Sequence, residues 1–392
     1  MKRYIIIATA LLIVICIILF AFTVPIFPSG LKNELPLPDG EIEIIDFQSE
    51  YPLNAARCMT VIDADTGNVL FSHNAHEKRG MASTTKIMTA LVAIENAPPD
   101  EEFTIPKEAI GIEGSSVYLK EGERLTLREL LYCLLLESGN DAATAIAISV
   151  GGSEEKFVRM MNETAEKLGL TDTSFKNPHG LSDDDHYTTA HDLAIITKRA
   201  MELPLFREIV ATKRYSVRYD GTENGRRLVN HNKLLFSAEG VIGVKTGYTK
   251  RDGKCLVSAA EKDGMTLIAV TLQDAFPAST HKALLDFAFS THEIIKLANV
   301  NELESSVPIK NCEKKFTTVK NCNSAKILLP KNASVTCEIL IPQQLFAPIE
   351  KGSVIGYAVF RADEKTVYII EIETTEDIKE IKKTLSEKLF GE

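Results

Sequence analysis

The sequence lacks an excess of positive charge. Its 392 residues carry 44 lysine and arginine side chains against 54 aspartate and glutamate side chains, giving a formal net charge of −10 at pH 7. Proteins that bind nucleic acid typically present a basic patch or stripe to the phosphate backbone. The acidic balance therefore argues against nucleic-acid binding, and we expect no nucleic-acid partner.

The seven cysteines include no C-x-x-C pair and no dense disulfide framework. Cys133 and Cys255 lie in apolar stretches, where small buried thiols are common. A bridge among Cys312, Cys322 and Cys337 stays open, since an oxidising compartment permits one. The chain also has no internal repeats, and it has no histidine and cysteine spacing that matches a standard zinc motif.

One long hydrophobic run stands at the N-terminus. A basic flank, residues 1–3, precedes an uncharged segment from Tyr4 to Val24. About 20 apolar residues cross a bilayer as a helix, whereas a signal peptide has a shorter core and a small-residue cleavage pattern that is missing here. Residues 1–24 are therefore predicted to be a transmembrane anchor, with a cleaved signal peptide as the alternative. The basic flank stays in the cytoplasm and places the rest of the chain outside.

The rest of the chain divides by composition. Residues 25–50 are rich in proline and form a spacer. Residues 51–295 read as strands, then helices, then strands, which predicts an α+β domain: an antiparallel sheet from both chain ends plus a helical cluster. Residues 300–376 read as short strands separated by turn residues and predict a small C-terminal β-sandwich domain. Residues 377–392 predict a short helix with a narrow apolar side.

A serine and a lysine stand three residues apart in the segment MASTTKIMTA, residues 81–90. Residues i and i+3 share one face of a helix, so Ser83 and Lys86 are expected to touch. A serine hydroxyl becomes a nucleophile when a base takes its proton, and a desolvated neutral lysine is such a base. The pattern also fits a helix N-cap followed by a solvated lysine, so the other motifs must decide.

Two further motifs follow. Ser138-Gly139-Asn140 stands where a leucine-rich helix ends, and Lys245-Thr246-Gly247 stands on a predicted strand. The set of S-x-x-K, S-x-N and K-T-G is found in penicillin-binding proteins and class A β-lactamases. The presence of all three motifs in this order and in these structural settings is stronger evidence for such a site than any one motif alone.

The chemistry of acyl transfer explains the catalytic members of the set. Ser83 attacks a carbonyl and Lys86 takes its proton, because burial and the cation Lys245 lower the lysine pKa. Ser138 passes a proton to the leaving amine, and Asn140 orients Lys86 and a substrate amide. These four residues, Ser83, Lys86, Ser138 and Asn140, are the predicted catalytic residues.

The third motif is predicted to bind substrate. Lys245 and Thr246 are expected to contact a substrate carboxylate, and Gly247 lets an extended substrate approach the strand edge. The backbone N–H groups of Ser83 and Tyr248 are the expected oxyanion hole. His231 either helps to bind the carboxylate or is a structural loop histidine.

The sequence resembles the D-alanyl-D-alanine carboxypeptidases, which are low-molecular-mass penicillin-binding proteins. The three motifs carry the resemblance together with DADTGNVLFSHNAHEKR, FKNPHGLSDDDHYTTAHDLA and GVKTGYT, between about residues 55 and 272. It implies a β-lactamase/transpeptidase-like fold and removal of the terminal D-alanine from peptidoglycan pentapeptide stems through an acyl-enzyme on Ser83. It also implies covalent inhibition by β-lactams and no cofactor or metal.

Three alternative functions remain at this point. A β-lactamase shares the acylation chemistry but needs a deacylating glutamate, and the loop NPHGLSDDDHYTTA contains none. A D,D-endopeptidase that acts on cross-links is a second enzyme. A penicillin-sensing scaffold is a non-enzyme alternative, which the complete set of catalytic residues disfavours.

Overall fold

The computed structural model describes residues 56–218 and 225–381. The predicted anchor and spacer, and most of the predicted C-terminal helix, lie outside these residues. Within the described part, no helix is long and apolar enough to cross a membrane.

A five-stranded antiparallel sheet organises the first domain. Its strand order is β2-β1-β9-β8-β7, so the first two strands of the domain pair with its last three. This confirms the predicted sheet from both chain ends. The strands are β1 (Ala56–Asp63), β2 (Val69–His73), β7 (Val241–Thr249), β8 (Gly253–Lys262) and β9 (Met265–Asp274).

Helices cover both faces of this sheet. Alternate residues of a strand face opposite sides: Ile268 and Val270 pack with the helical cluster, whereas Leu267 and Ala269 pack against the last helix. The cluster comprises α1 (Lys86–Asn96), α2 (Leu127–Leu135), α3 (Asn140–Gly151), α4 (Glu154–Lys167), α5 (Ala190–Met201), α6 (Pro204–Ala211) and α7 (Leu234–Ser237), and the last helix is α8 (Pro277–Thr291).

Two short hairpins lie in the loops between these helices. One pairs β3 (Glu102–Thr104) with β4 (Arg124–Thr126), and the other pairs β5 (Arg214–Val217) with β6 (Arg226–Val229). The first leads directly into α2, whose start is fixed by a capping box of Thr126 and Glu129.

The C-terminal domain is all β. Strands β10 and β13 form a two-stranded sheet, and a six-stranded sheet has the order β14-β16-β17-β12-β11-β15. The two sheets share one apolar core. The strands are β10 (His292–Ala298), β11 (Ser305–Lys310), β12 (Phe316–Lys320), β13 (Ala325–Pro330), β14 (Val335–Leu340), β15 (Leu345–Phe346), β16 (Val354–Ala362) and β17 (Lys365–Thr374).

Two predicted details of this domain differ from the structure. Strand β10 begins at His292, directly after α8, so the predicted boundary at residue 295 falls inside a strand. The predicted tail helix is wrong for residues 377–381: Ile378 is buried in the β core and pairs with Ile349. The backbone of Ile378 thus pairs with another segment of the β domain, and this pairing takes the place of helical hydrogen bonds.

Candidate active site

Ser83 lies in a tight turn at the junction of the sheet and the helical cluster. Residues Ala82–Thr85 form a 3-10 turn, and α1 begins at Lys86. Ala82 has a φ of +48°, a conformation that alanine seldom adopts. Ser83 is partly exposed, while its neighbours in the turn are buried.

Lys86 is buried beneath Ser83. Its Nζ atom lies 3.0 Å from Ser83 Oγ, and it donates to Asn140 Oδ1 at 2.7 Å and to the His179 carbonyl at 2.5 Å. Burial lowers the pKa of Lys86 well below its usual value, and the charge of Lys245 lowers it further, against a smaller opposing effect of Asp141. A lowered pKa makes the amine a more available proton acceptor. The predicted contact of Ser83 and Lys86 is therefore present.

The loop between α2 and α3 carries Ser138 and Asn140. Ser138 has a φ of +63°, which turns the chain sharply before α3 begins at Asn140. The Asn140 amide donates to the Glu113 carbonyl at 2.5 Å, and its backbone N–H donates to the Ser115 carbonyl at 2.7 Å. Asn140 thus joins Lys86 to the segment that forms the opposite wall of the site.

Strand β7 supplies the other wall. It is an edge strand of the sheet, and Thr246, Gly247 and Tyr248 of this strand all line the same cleft as Ser83. Lys245 points inward instead: it is 1% exposed, and its Nζ donates to the Thr246 carbonyl at 2.8 Å. Burial lowers the pKa of Lys245 to about 7. Lys245 therefore lies beneath the strand and not in the lining of the cleft.

Two glycines allow neighbouring segments to pack directly against the backbone of the Ser83 turn. A Cβ on Gly247 would lie 3.0 Å from the Ser83 nitrogen, and one on Gly180 would lie 2.0 Å from the Ala82 carbonyl oxygen and 2.9 Å from the Ser83 nitrogen. A side chain at either position would therefore displace the turn that carries Ser83.

The cleft has a volume of about 670 Å³ and runs from Ser83 and Ser138 to the start of α8. The basic side chains that line it are His231, Lys233 and Lys254, and no aspartate or glutamate of the described residues lines it. His231 Nε2 lies 3.1 Å from Glu137 Oε2. The cleft is therefore basic in a chain of net negative charge. The lining residues also include Ser115, Cys255, Leu256 and Phe276.

Several of these contributors were absent from the sequence prediction. The His179 carbonyl is a main-chain acceptor, which no side-chain motif reveals. Asp141 accepts from the backbone N–H groups of Val117 and Leu119 at 3.1 Å and holds that wall of the cleft. Asp141 directly follows the S-x-N motif, and this proximity was the one available signal.

The histidines near the site serve hydrogen bonding. Burial lowers the pKa of His179 to about 3 and that of His186 to about 4, so both are neutral at pH 7. Among the described residues, no group of three or more histidine, cysteine, aspartate or glutamate side chains could hold a metal ion. All six described cysteines are free thiols.

Comparison with known proteins identifies the family. The sequence profile of the peptidase S11 D-alanyl-D-alanine carboxypeptidases matches residues 46–276. The chain is 36% identical to the D-alanyl-D-alanine carboxypeptidase DacF of Bacillus subtilis, over 83% of this chain and 86% of that protein. It is 31% identical to DacC of Escherichia coli, over 84% of this chain and 86% of that protein.

Solved structures agree. Penicillin-binding protein 5 of Haemophilus influenzae superimposes with a TM-score of 0.73 at 27% identity, covering 85% of this chain and 100% of that one. A mutant of the Streptomyces K15 DD-transpeptidase superimposes with a TM-score of 0.58 at 33% identity, covering 61% of this chain and 100% of that one. These likenesses confirm the β-lactamase/transpeptidase-like fold, and with the profile match they show that the chain belongs to the D-alanyl-D-alanine carboxypeptidase family.

Proposed function

We propose that the chain is a serine carboxypeptidase that removes the terminal D-alanine from peptidoglycan pentapeptide stems through an acyl-enzyme on Ser83. The observation that carries this proposal is the buried Lys86 amine, 3.0 Å from the Ser83 hydroxyl, with a pKa held well below its usual value by burial and by Lys245. Such an amine activates a serine without a histidine.

Acylation proceeds from this geometry. Ser83 Oγ bonds to the carbonyl carbon of the scissile peptide while its proton moves to Lys86 Nζ. The carbonyl oxygen becomes negative and binds the backbone N–H groups of Ser83 and Tyr248. The C–N bond then breaks, and the proton passes from Lys86 to the leaving D-alanine amine with Ser138 as the bridge.

Substrate binding uses the edge of β7. An extended peptide adds to the open edge of this strand and is oriented by Asn140. Thr246 binds the terminal carboxylate, and the Lys245 charge attracts it from beneath the strand. Gly247 lets the strand pack against the Ser83 turn, and the basic lining of the cleft favours a substrate with a free carboxylate.

Hydrolysis of the acyl-enzyme completes the reaction: water attacks the ester carbonyl as Lys86 takes its proton, the ester bond to Ser83 Oγ breaks, Lys86 returns the proton to Ser83, and the stem is released with a free carboxylate. The cleft lining contains no carboxylate in the described residues, whereas a β-lactamase deacylates through a glutamate. We therefore infer that β-lactams form a long-lived adduct.

Outside the described residues, we propose that residues 1–24 hold the enzyme at the outer face of the cytoplasmic membrane.

D-alanine release from a peptide ending in D-Ala-D-Ala tests the proposal. The wild-type chain should release D-alanine, and Ser83→Ala and Lys86→Met should each lose at least about 10³-fold in kcat, as catalytic members of such sets do. Cys255→Ser is the control, because its thiol lines the cleft but has no part in the proposed steps. Penicillin turnover that outpaces D-alanine release would instead assign a β-lactamase.

A further inference from the structure

The peptide bond between Ala82 and Ser83 couples the Ser83 N–H to a buried carbonyl. The C=O and N–H of a trans peptide point in opposite directions. Whatever holds the Ala82 carbonyl therefore sets the direction of the Ser83 N–H. Because Ala82 has a φ of +48°, which is unfavourable for a residue with a Cβ, its surroundings must hold it in place.

Thr85 and His186 hold this carbonyl. Thr85 Oγ1 donates to the Ala82 oxygen at 2.8 Å, and His186 Nε2 lies 2.7 Å from Thr85 Oγ1. His186 Nδ1 accepts from the Lys176 backbone N–H at 3.0 Å. The neutral ring therefore carries its proton on Nε2 and donates it to Thr85. The result is a directed chain of hydrogen bonds from His186 through Thr85 to the Ala82 carbonyl.

We propose that Thr85 and His186 are positioning residues that aim the Ser83 N–H into the oxyanion hole. This inference rests on the proposed function, because the direction of this N–H matters to the reaction only if Ser83 is acylated. Both side chains are buried, with 0% and 2% exposure, so neither touches substrate. Hydrogen bonds in a chain polarise one another, and a peptide whose carbonyl accepts a bond is the better N–H donor.

Thr84 provides a matched control in the same turn. Its Oγ1 donates to the Met81 carbonyl at 2.6 Å, so it makes the same kind of bond at the same depth. The Met81 carbonyl, however, belongs to the peptide before Ala82 and not to the peptide that carries the Ser83 N–H. Thr84→Val and Thr85→Val thus remove equivalent bonds with different consequences for the proposed oxyanion hole.

The test measures kcat and KM for D-alanine release, and the affinity of a boronic acid that forms a tetrahedral adduct with serine. Thr85→Val should lower kcat about 10- to 100-fold, somewhat less than the loss of a whole oxyanion donor, and leave KM within about twofold. Affinity for the boronic acid should fall in parallel with kcat. Thr85→Ser keeps the hydroxyl and should restore both, and Thr84→Val should stay within about threefold of wild type.

Variants of His186 keep the proposal testable if Thr85→Val fails to fold. His186→Leu should lower kcat in the same direction, and His186→Gln, which can donate to Thr85 and accept from Lys176, should recover it. Equal kcat values for Thr84→Val and Thr85→Val, a loss confined to KM, or a Thr85→Ser variant as impaired as Thr85→Val would overturn the positioning role. Failure of the proposed function is distinguishable, because the wild-type chain would then release no D-alanine, or Ser83→Ala would release it as fast as the wild type.

Discussion

Gly180 is the residue whose substitution should displace the nucleophile most directly. It has a φ of +91°, and a Cβ placed on it would lie 2.0 Å from the Ala82 carbonyl oxygen. Ordinary contacts begin near 3.4 Å, so the two segments must part by about 1.4 Å (3.4 − 2.0) in Gly180→Ala. Ser83 follows Ala82 directly and must move with it.

The size of the effect follows from this displacement. A misplacement of about 1 Å in an active site can cost roughly 10²-fold in rate. Gly169→Ala is the matched control: Gly169 also has a positive φ, of +75°, but apart from its chain neighbours no atom of the described residues lies within 4 Å of its Cβ position. Both variants should lose about 1 kcal/mol of stability from the left-handed conformation, and only Gly180→Ala should lose the rate.

The assay is the acylation rate with a fluorescent penicillin, beside thermal unfolding of each variant. We expect Gly180→Ala to acylate at least about 10²-fold more slowly than Gly169→Ala. If the two variants are folded and acylate within about threefold of each other, the contact of Gly180 with the Ser83 turn does not fix the nucleophile, and this reasoning is refuted.

Three further predictions concern charge and topology. Lys245→Ala removes a charge that lowers the pKa of Lys86, so the pKa of Lys86 should rise. The acid limb of the plot of kcat/KM against pH should therefore move to higher pH, and an unmoved limb would reject the effect of Lys245 on the Lys86 pKa. His281 is fully buried, and burial lowers its pKa to about 3, so the native state resists protonation and the free energy of unfolding falls as pH drops from about 6.5 towards 3. Urea titrations of His281→Leu should show a slope of unfolding free energy against pH that is smaller than that of the wild type by about 1.4 kcal/mol per pH unit. An equal slope would contradict burial of the neutral ring. Protein recovered from membranes should begin at or near Met1 by intact mass, and a mature chain that begins between about Phe22 and Leu31 would replace the anchor with a cleaved signal peptide.

Local patterns predicted much of the fold and the site because they depend on neighbouring residues. The i, i+3 spacing placed Lys86 on Ser83, and the structure has this contact. Asp263 and Gly264, residue types that favour a tight turn, join β8 to β9. The order of strands and helices predicted one sheet from both chain ends, which the structure confirms.

What escaped prediction depends on backbone conformation and distant contacts. The left-handed conformations of Ala82 and Ser138 belong to residue types that rarely adopt them, so no local signal announces them. The His179 carbonyl contacts Lys86 across 93 positions of sequence, and a main-chain acceptor leaves no trace in residue identity. Ile378 looked like part of a helix stripe, but pairing with Ile349 decides its structure.

Peptide mapping of the penicillin adduct tests the central claim most directly. Wild-type protein treated with benzylpenicillin and digested should carry the penicilloyl mass on the peptide that contains Ser83, with fragment ions that assign it to Ser83 itself. Ser83→Ala should carry no adduct while its thermal unfolding stays unchanged. An adduct on any other residue, or an undiminished adduct on Ser83→Ala, would contradict the account of Ser83 as the nucleophile activated by Lys86.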